Sequence, residues 1–209
     1  MAVRKKLLVE GTDDENVLKH ICGTRGVGRL DKVKNLGGFY KLRASIPAEL
    51  RESDLEAVGV VVDADTDMNS RWQSIRDQII SVGYQSVPIQ PVVDGTILDP
   101  PEGTLLPKVG IWIMPNNRTD GILENFLRFL VRPPNDLFDH VEASVAAIPQ
   151  EHRRFKDLDE IKAIIHTWLA WQEDPGQPYG IAITAGFLDP NIAEVDPLVS
   201  WLKRLFFDS

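Results

Sequence analysis

Short apolar runs alternate with stretches of helical period along most of the chain. Leu7 to Val9 is an apolar run closed by Glu10-Gly11, which predicts a strand and a turn. Asp13 to Ile21 follows as a helix, with Val17, Leu18 and Ile21 on one face and Gly23 as its stop. Thr12 or Asp13 is placed to cap its first turn. Leu30 to Leu36 predicts a second strand, closed by Gly37-Gly38, and Phe39 to Leu50 a helix interrupted by Pro47. The run Val58-Gly59-Val60-Val61-Val62 is the clearest strand, β-branched and apolar on both faces as a central parallel strand requires. It stops abruptly at Asp63-Ala64-Asp65-Thr66-Asp67. A helix from about Ser70 to Ser81 and a strand from Tyr84 to Ile89 come next.

Gln90 to Lys108 is proline-rich with strand-like pieces, and reads as an irregular hairpin insertion. Val109 to Met114 predicts another buried strand, followed by a loop at Pro115-Asn116-Asn117 and a helix from about Asp120 to Val131. The rest is helical in pattern: Asp136 to Ile148, Asp159 to Gln172, and Pro197 to Phe207 with proline in the first turn. Strands alternating with helices imply an α/β fold whose mostly parallel sheet carries helices on both faces. The expected organisation is an α/β core over residues 1–132, with the insertion around 90–108, and a helical extension over 133–209 packed on it.

Acidic residues fall where these elements end. Glu10 follows the first strand, Asp63 the clearest one, and Glu124 lies in the first turns of the helix after Val109–Met114. Asp14 is four residues beyond Glu10, about one helical turn, and points back toward the strand end. Asp63 and Asp65 are two apart, so in extended geometry they face the same way. In parallel sheets, groups at the carboxyl ends of neighbouring strands meet in one crevice. Five carboxylates gathered there take up protons or bind a metal. Hard divalent ions prefer oxygen ligands, so the set predicts Mg2+ or Mn2+. His20, His140, His152 and His166 lack zinc-ligand spacing. Plainer readings stand beside this one. Glu10 and Asp14 would favour a helix N-terminus, Asp63-Ala64-Asp65 would be a strand-ending turn, and Glu124 a solvated helix acid.

Charge sharpens the picture. The whole chain carries 23 basic and 31 acidic residues, a net −8, yet residues 1–43 hold 10 basic against 5 acidic. That segment suits a phosphate backbone, or is ordinary solvated surface. The single cysteine, Cys22, forms no internal disulfide, fits a cytoplasmic setting, and reads as a small buried helix residue. No apolar run approaches the roughly 20 residues of a membrane span, and the run after the N-terminal lysines is too short for a secretory signal.

Leu7-Leu8-Val9-Glu10-Gly11-Thr12-Asp13-Asp14 resembles the first Toprim motif, and Val60-Val61-Val62-Asp63-Ala64-Asp65 the second. Gly121-Ile122-Leu123-Glu124-Asn125-Phe126 is similar to the later acidic motif of OLD-like and small stand-alone Toprim proteins. The likeness to that stand-alone group extends through Trp112-Ile113-Met114-Pro115 and Lys162 to Trp171. It implies a Toprim-like Rossmannoid core and a metal-dependent nuclease, or related phosphotransfer enzyme, acting on DNA or RNA. Asp14, Asp63, Asp65 and Glu124 would be ligands, and Glu10 a ligand or the general acid/base. Lys162, or Lys156 before it, would offset the charge of the reacting phosphate. Asp13 and Asp67 would be substitute ligands. The chain departs from several branches. It has no recognisable surroundings for a topoisomerase tyrosine, no primase zinc module, and no phosphate loop, so an ATPase would be a separate partner. Two other readings remain open. One is a non-catalytic Toprim module that binds nucleic acid or a partner protein, as recombination mediators do. The other is a flavodoxin-like receiver, which lacks its expected strand-end lysine. The apolar C-terminal residues Trp201, Leu205, Phe206 and Phe207 read mostly as core, with a homodimer contact as the alternative.

Overall fold

The computed structural model describes residues 4–208; residues 1–3, the start of the basic segment, and 209 lie outside the described residues. Five strands form one sheet: β1 (Lys5–Val9), β2 (Lys32–Asn35), β3 (Ala57–Asp63), β4 (Thr96–Leu98) and β5 (Lys108–Met114), in the order β2-β1-β3-β5-β4. β1, β2, β3 and β5 are parallel, and β4 returns antiparallel along β5. The helices are α1 (Thr12–Thr24), α2 (Phe39–Glu49), α3 (Met68–Val82), α4 (Leu123–Phe129), α5 (Asp136–Ala146), α6 (Glu160–Ala170), α7 (Tyr179–Thr184) and α8 (Asp196–Phe206).

The period of two along each strand sorts the side chains onto two faces. Leu8, Val58, Val60, Val62, Val109, Ile111 and Ile113 pack with Leu42 and Ile46 of α2 and Trp72, Ile75 and Ile79 of α3. Leu7, Val9, Val61, Trp112 and Met114 point the other way, into a cluster built with α1 and α4 to α8. Both parts of the chain on either side of residue 132 therefore share one core. Trp201, Leu205 and Phe206 are buried in it. Cys22 is buried on α1 as expected, and burial pushes its thiol up to about 11. Among the described residues, no helix is long and apolar enough to cross a membrane.

The expected elements differ from the structure in four places. Tyr84 to Ile89 forms no strand, because side chains of α3 take its carbonyls: Trp72 Nε1 donates to Ile89 O (3.0 Å) and Arg76 Nε to Pro88 O (3.0 Å). Of the pieces between 90 and 108, only Thr96–Leu98 pairs as a strand. The helix expected from Asp120 starts at Leu123, because Gly121 is drawn into a backbone bridge with Asp65. Pro47 does not break α2, whose bonding continues in Leu50 N–H to Ile46 O (3.0 Å).

One packing detail fixes α8. Gly59 of β3 and Gly110 of β5 are register partners on the same face. Together they leave a trough in which Leu205, Phe206 and Trp201 sit against bare backbone. Trp201 Nε1 also donates to Thr96 O of β4 (3.2 Å). A side chain on Gly110 would collide with Leu205 and Trp201. Gly110→Val is expected to cost about 1–3 kcal/mol by overpacking. A lowered urea midpoint at unchanged slope would be the sign; an unchanged midpoint would show that α8 yields freely.

Candidate metal centre

The chain passes from β1 outward to β2 and then back across to β3, so the strand order reverses between β1 and β3. Parallel sheets open a crevice at such a point, beyond the carboxyl ends of the strands. Glu10 and Asp63 stand there. Glu10 Oε1 accepts from the Asp63 backbone N–H (2.9 Å), which ties the two strand ends together. The Glu10 carbonyl accepts from Gly38 N–H (2.8 Å), and the Phe39 N–H adds to its carboxylate environment. Gly37 and Gly38, at φ 73° and 108°, let the chain turn this closely past Glu10.

Asp14 projects from the first turn of α1 and is buried. Its Oδ2 accepts from Gly11 N–H (3.0 Å), while its Oδ1 is sealed from solvent without a partner. Asp63 Oδ1 is likewise buried and unpartnered. Glu124, on α4, is 3% exposed. Its Oε1 accepts from Tyr179 OH (3.1 Å) and lies 3.4 Å from Lys162 Nζ. Tyr179 OH also contacts His166 Nε2 at 2.8 Å. A phenol has one proton, so with it directed at Glu124 the imidazole must be the donor.

Desolvation, followed by the charges of Asp14, Glu10 and Glu124, drives the Asp63 carboxyl well above the usual carboxylate range. Burial raises Asp14 to about 6, opposed by the Gly11 N–H and reinforced by Glu124. Burial also raises Glu10, against the lowering effects of the Asp63 N–H and Arg71. Asp63 thus lies within electrostatic reach of the three other predicted acids, Glu10, Asp14 and Glu124, and Lys162 stands beside Glu124. Among the described residues, no three acidic, imidazole or thiol groups are already gathered into a chelating set.

Asp65 does not join the four. The extended geometry expected across Asp63-Ala64-Asp65 ends at Asp65, which adopts φ 53°. Its backbone exchanges two hydrogen bonds with Gly121, Asp65 N–H to Gly121 O (2.9 Å) and Gly121 N–H to Asp65 O (2.8 Å). Its side chain pairs with Arg71 of α3. Arg71 in turn lies over the Phe39 ring, 3.6 Å from its centre. A cleft of about 590 Å³ opens beside Asp65 toward Asp120, Asn125, Arg128 and Glu160. A separate cavity of about 660 Å³ lies at the far end of α1, between Cys22, Arg29 and Lys32, and is unrelated to the carboxylates. Asp67 caps α3 by accepting from Ser70 N–H (2.9 Å), and Asp13 is exposed on α1.

The family described as Protein of unknown function (DUF3226) matches residues 4–207. The chain belongs to that family. No curated protein and no solved structure matches it. In this DUF3226 chain the sequence pattern located the strand-end acids but not their partners. Arg71, Tyr179 and His166 carried no local signal. Arg71 reads as a solvated residue of an amphipathic helix, and α7 is too short to show a period.

The folded DUF3226 protein holds the Asp14 proton more tightly than the unfolded chain does. Its ionisation therefore weakens the fold as pH rises from 3.8 through about 6. That shift corresponds to at most about 3 kcal/mol. Asp14→Asn, which keeps an acceptor for Gly11, is expected to stabilise the metal-free protein by about 1–3 kcal/mol near pH 7.5 and by little near pH 4. Urea unfolding at both pH values checks this, and a pH-independent effect would refute it.

Proposed function

We propose that Glu10, Asp14, Asp63 and Glu124 form a Mg2+ or Mn2+ site of a phosphodiesterase acting on DNA or RNA. The observation that carries the reading is the pair of buried, unpartnered oxygens, Asp14 Oδ1 and Asp63 Oδ1, with the charges of Asp14, Glu10 and Glu124 bearing on Asp63. Buried polar atoms in folded proteins almost always find partners. A carboxylate oxygen in a set like this has two ways to find one, a proton or a cation. Hard divalent cations are the natural partners of an all-oxygen set.

When bound, the cation would polarise a phosphate oxygen and lower the pKa of a coordinated water. The protein's own groups hold the frame. Glu10 links β1 to β3 through the Asp63 N–H and would serve as a ligand or as the group that takes a proton from water. Tyr179 fixes Glu124 from the side of the C-terminal helices, and Lys162 offsets negative charge there. The Glu-Gly and Asp-x-Asp motifs, each after an apolar strand, support the same reading through their resemblance to Toprim nucleases.

Wild-type protein is expected to bind Mn2+ in a calorimetric titration, and Asp63→Asn to lose that binding. With Mg2+ or Mn2+, wild type is expected to cleave single- or double-stranded oligonucleotides, and Asp63→Ala to fall by about a hundredfold or more. Cleavage that survives in Asp63→Ala would sink the proposed chemistry. Oligonucleotide binding without any cleavage would favour a non-catalytic module.

A further inference from the structure

Asp65 and Arg71 make a pair whose members are unequally placed. The Arg71 side chain is 11% exposed and that of Asp65 is 43% exposed. The cation is the inward partner and the carboxylate the outward one. A solvated surface pair would have both ends in water. Arg71 is held on its other side by the Phe39 ring, 3.6 Å from the guanidinium carbon. Phe39 opens α2 directly after the Gly37-Gly38 turn that wraps Glu10. The guanidinium is therefore brought to the Glu10 side of the crevice by three elements: α3, which bears it, α2, which supplies the ring, and the β3 end, which supplies Asp65. Its charge is felt at the Glu10 carboxyl.

Asp65, for its part, is fixed away from the acidic set. The left-handed backbone and the paired hydrogen bonds to Gly121 direct its side chain toward Arg71. Joining a metal would require breaking that pair and leaving an almost buried guanidinium alone, which is costly for any buried ion. Lys162 lies against Glu124, and its side chain is 46% exposed. A flexible, hydrated ammonium there is a weak positioning group, whereas a planar guanidinium stacked on an aromatic ring presents a fixed fork to a phosphate.

We propose that Arg71 is the phosphate-binding cation of this pocket and that Asp65 is its holder, not a metal ligand. The proposal rests on the metal-site reading above and assigns roles within it. Arg71 binds a non-bridging phosphate oxygen of the nucleic acid on the Glu10 side. Asp65 orients the guanidinium through the ion pair, and Phe39 keeps it planar to the crevice.

The test uses the full chain and two readouts that do not depend on turnover. Mn2+ binding is measured by calorimetry without nucleic acid. Binding of a fluorescent oligonucleotide of about 12 nucleotides is measured by anisotropy with Ca2+ present. Asp63→Asn should abolish Mn2+ binding, while Asp65→Asn should leave its affinity within about threefold. Asp65→Asn, Arg71→Gln and Arg71→Lys should each weaken oligonucleotide binding by roughly tenfold, lysine failing because it lacks the planar fork. Arg71→Gln retains a stem for packing on Phe39, and thermal melts establish that each variant is folded. Loss of Mn2+ binding in Asp65→Asn equal to that in Asp63→Asn would make Asp65 a ligand and overturn this proposal alone. So would unchanged oligonucleotide binding in folded Arg71→Gln, or a wild type that holds no oligonucleotide. A wild type that binds no Mn2+ would overturn the metal reading, and this proposal with it.

Discussion

Four carboxyl groups from separate elements meet around the ends of β1 and β3, and the charges of Asp14, Glu10 and Glu124 raise the cost of ionising Asp63. The rest of the pocket answers that constraint. Backbone N–H groups of Gly11, Asp63 and Phe39 are spent on it, as are the phenol of Tyr179 and the ammonium of Lys162. Even so, two oxygens are left without partners. A fold that needed only stability would place apolar groups there, since burying unpaired carboxylates is unfavourable.

The sheet and most of the acids were legible in the sequence for a simple reason. β3 is apolar on both faces and stops at Asp63, and β1 is apolar and stops at Glu10, so the chain itself marks where the strands end. The strand-order reversal then brings those ends together without any further information. Asp65 leaves the alternation with Asp63 because that rule holds only while the backbone stays extended. One left-handed residue, set by pairing with Gly121 more than fifty positions away, redirects the side chain. Arg71 was invisible for a related reason. Its surroundings come from Phe39 and Asp65, which no local pattern connects to it. The absent strand at Tyr84 to Ile89 has the same origin, since α3 side chains claim the carbonyls that a ladder would need.

The helices after residue 132 are more than an appendage to an α/β core. Glu124 owes its orientation to Tyr179 of α7 and its nearby cation to Lys162 of α6. α7 packs along α1, which carries Asp14. The two carboxylates farthest from the strand ends are thus positioned by one helical assembly. A disturbance in α6 or α7 would reach the pocket through side-chain contacts without altering any of its acids.

The glycine trough under α8 sets an order of events. Gly59 and Gly110 make the centre of the sheet flat, and the side chains that cover it come from residues 201 to 206. During synthesis, the strands are all made long before that cover exists. The inner face of β3 and β5 stays wet on this side until α8 is available, and such transiently exposed apolar strands invite association between chains. Burial of this part of the sheet therefore waits for α8, the last helix of the described residues.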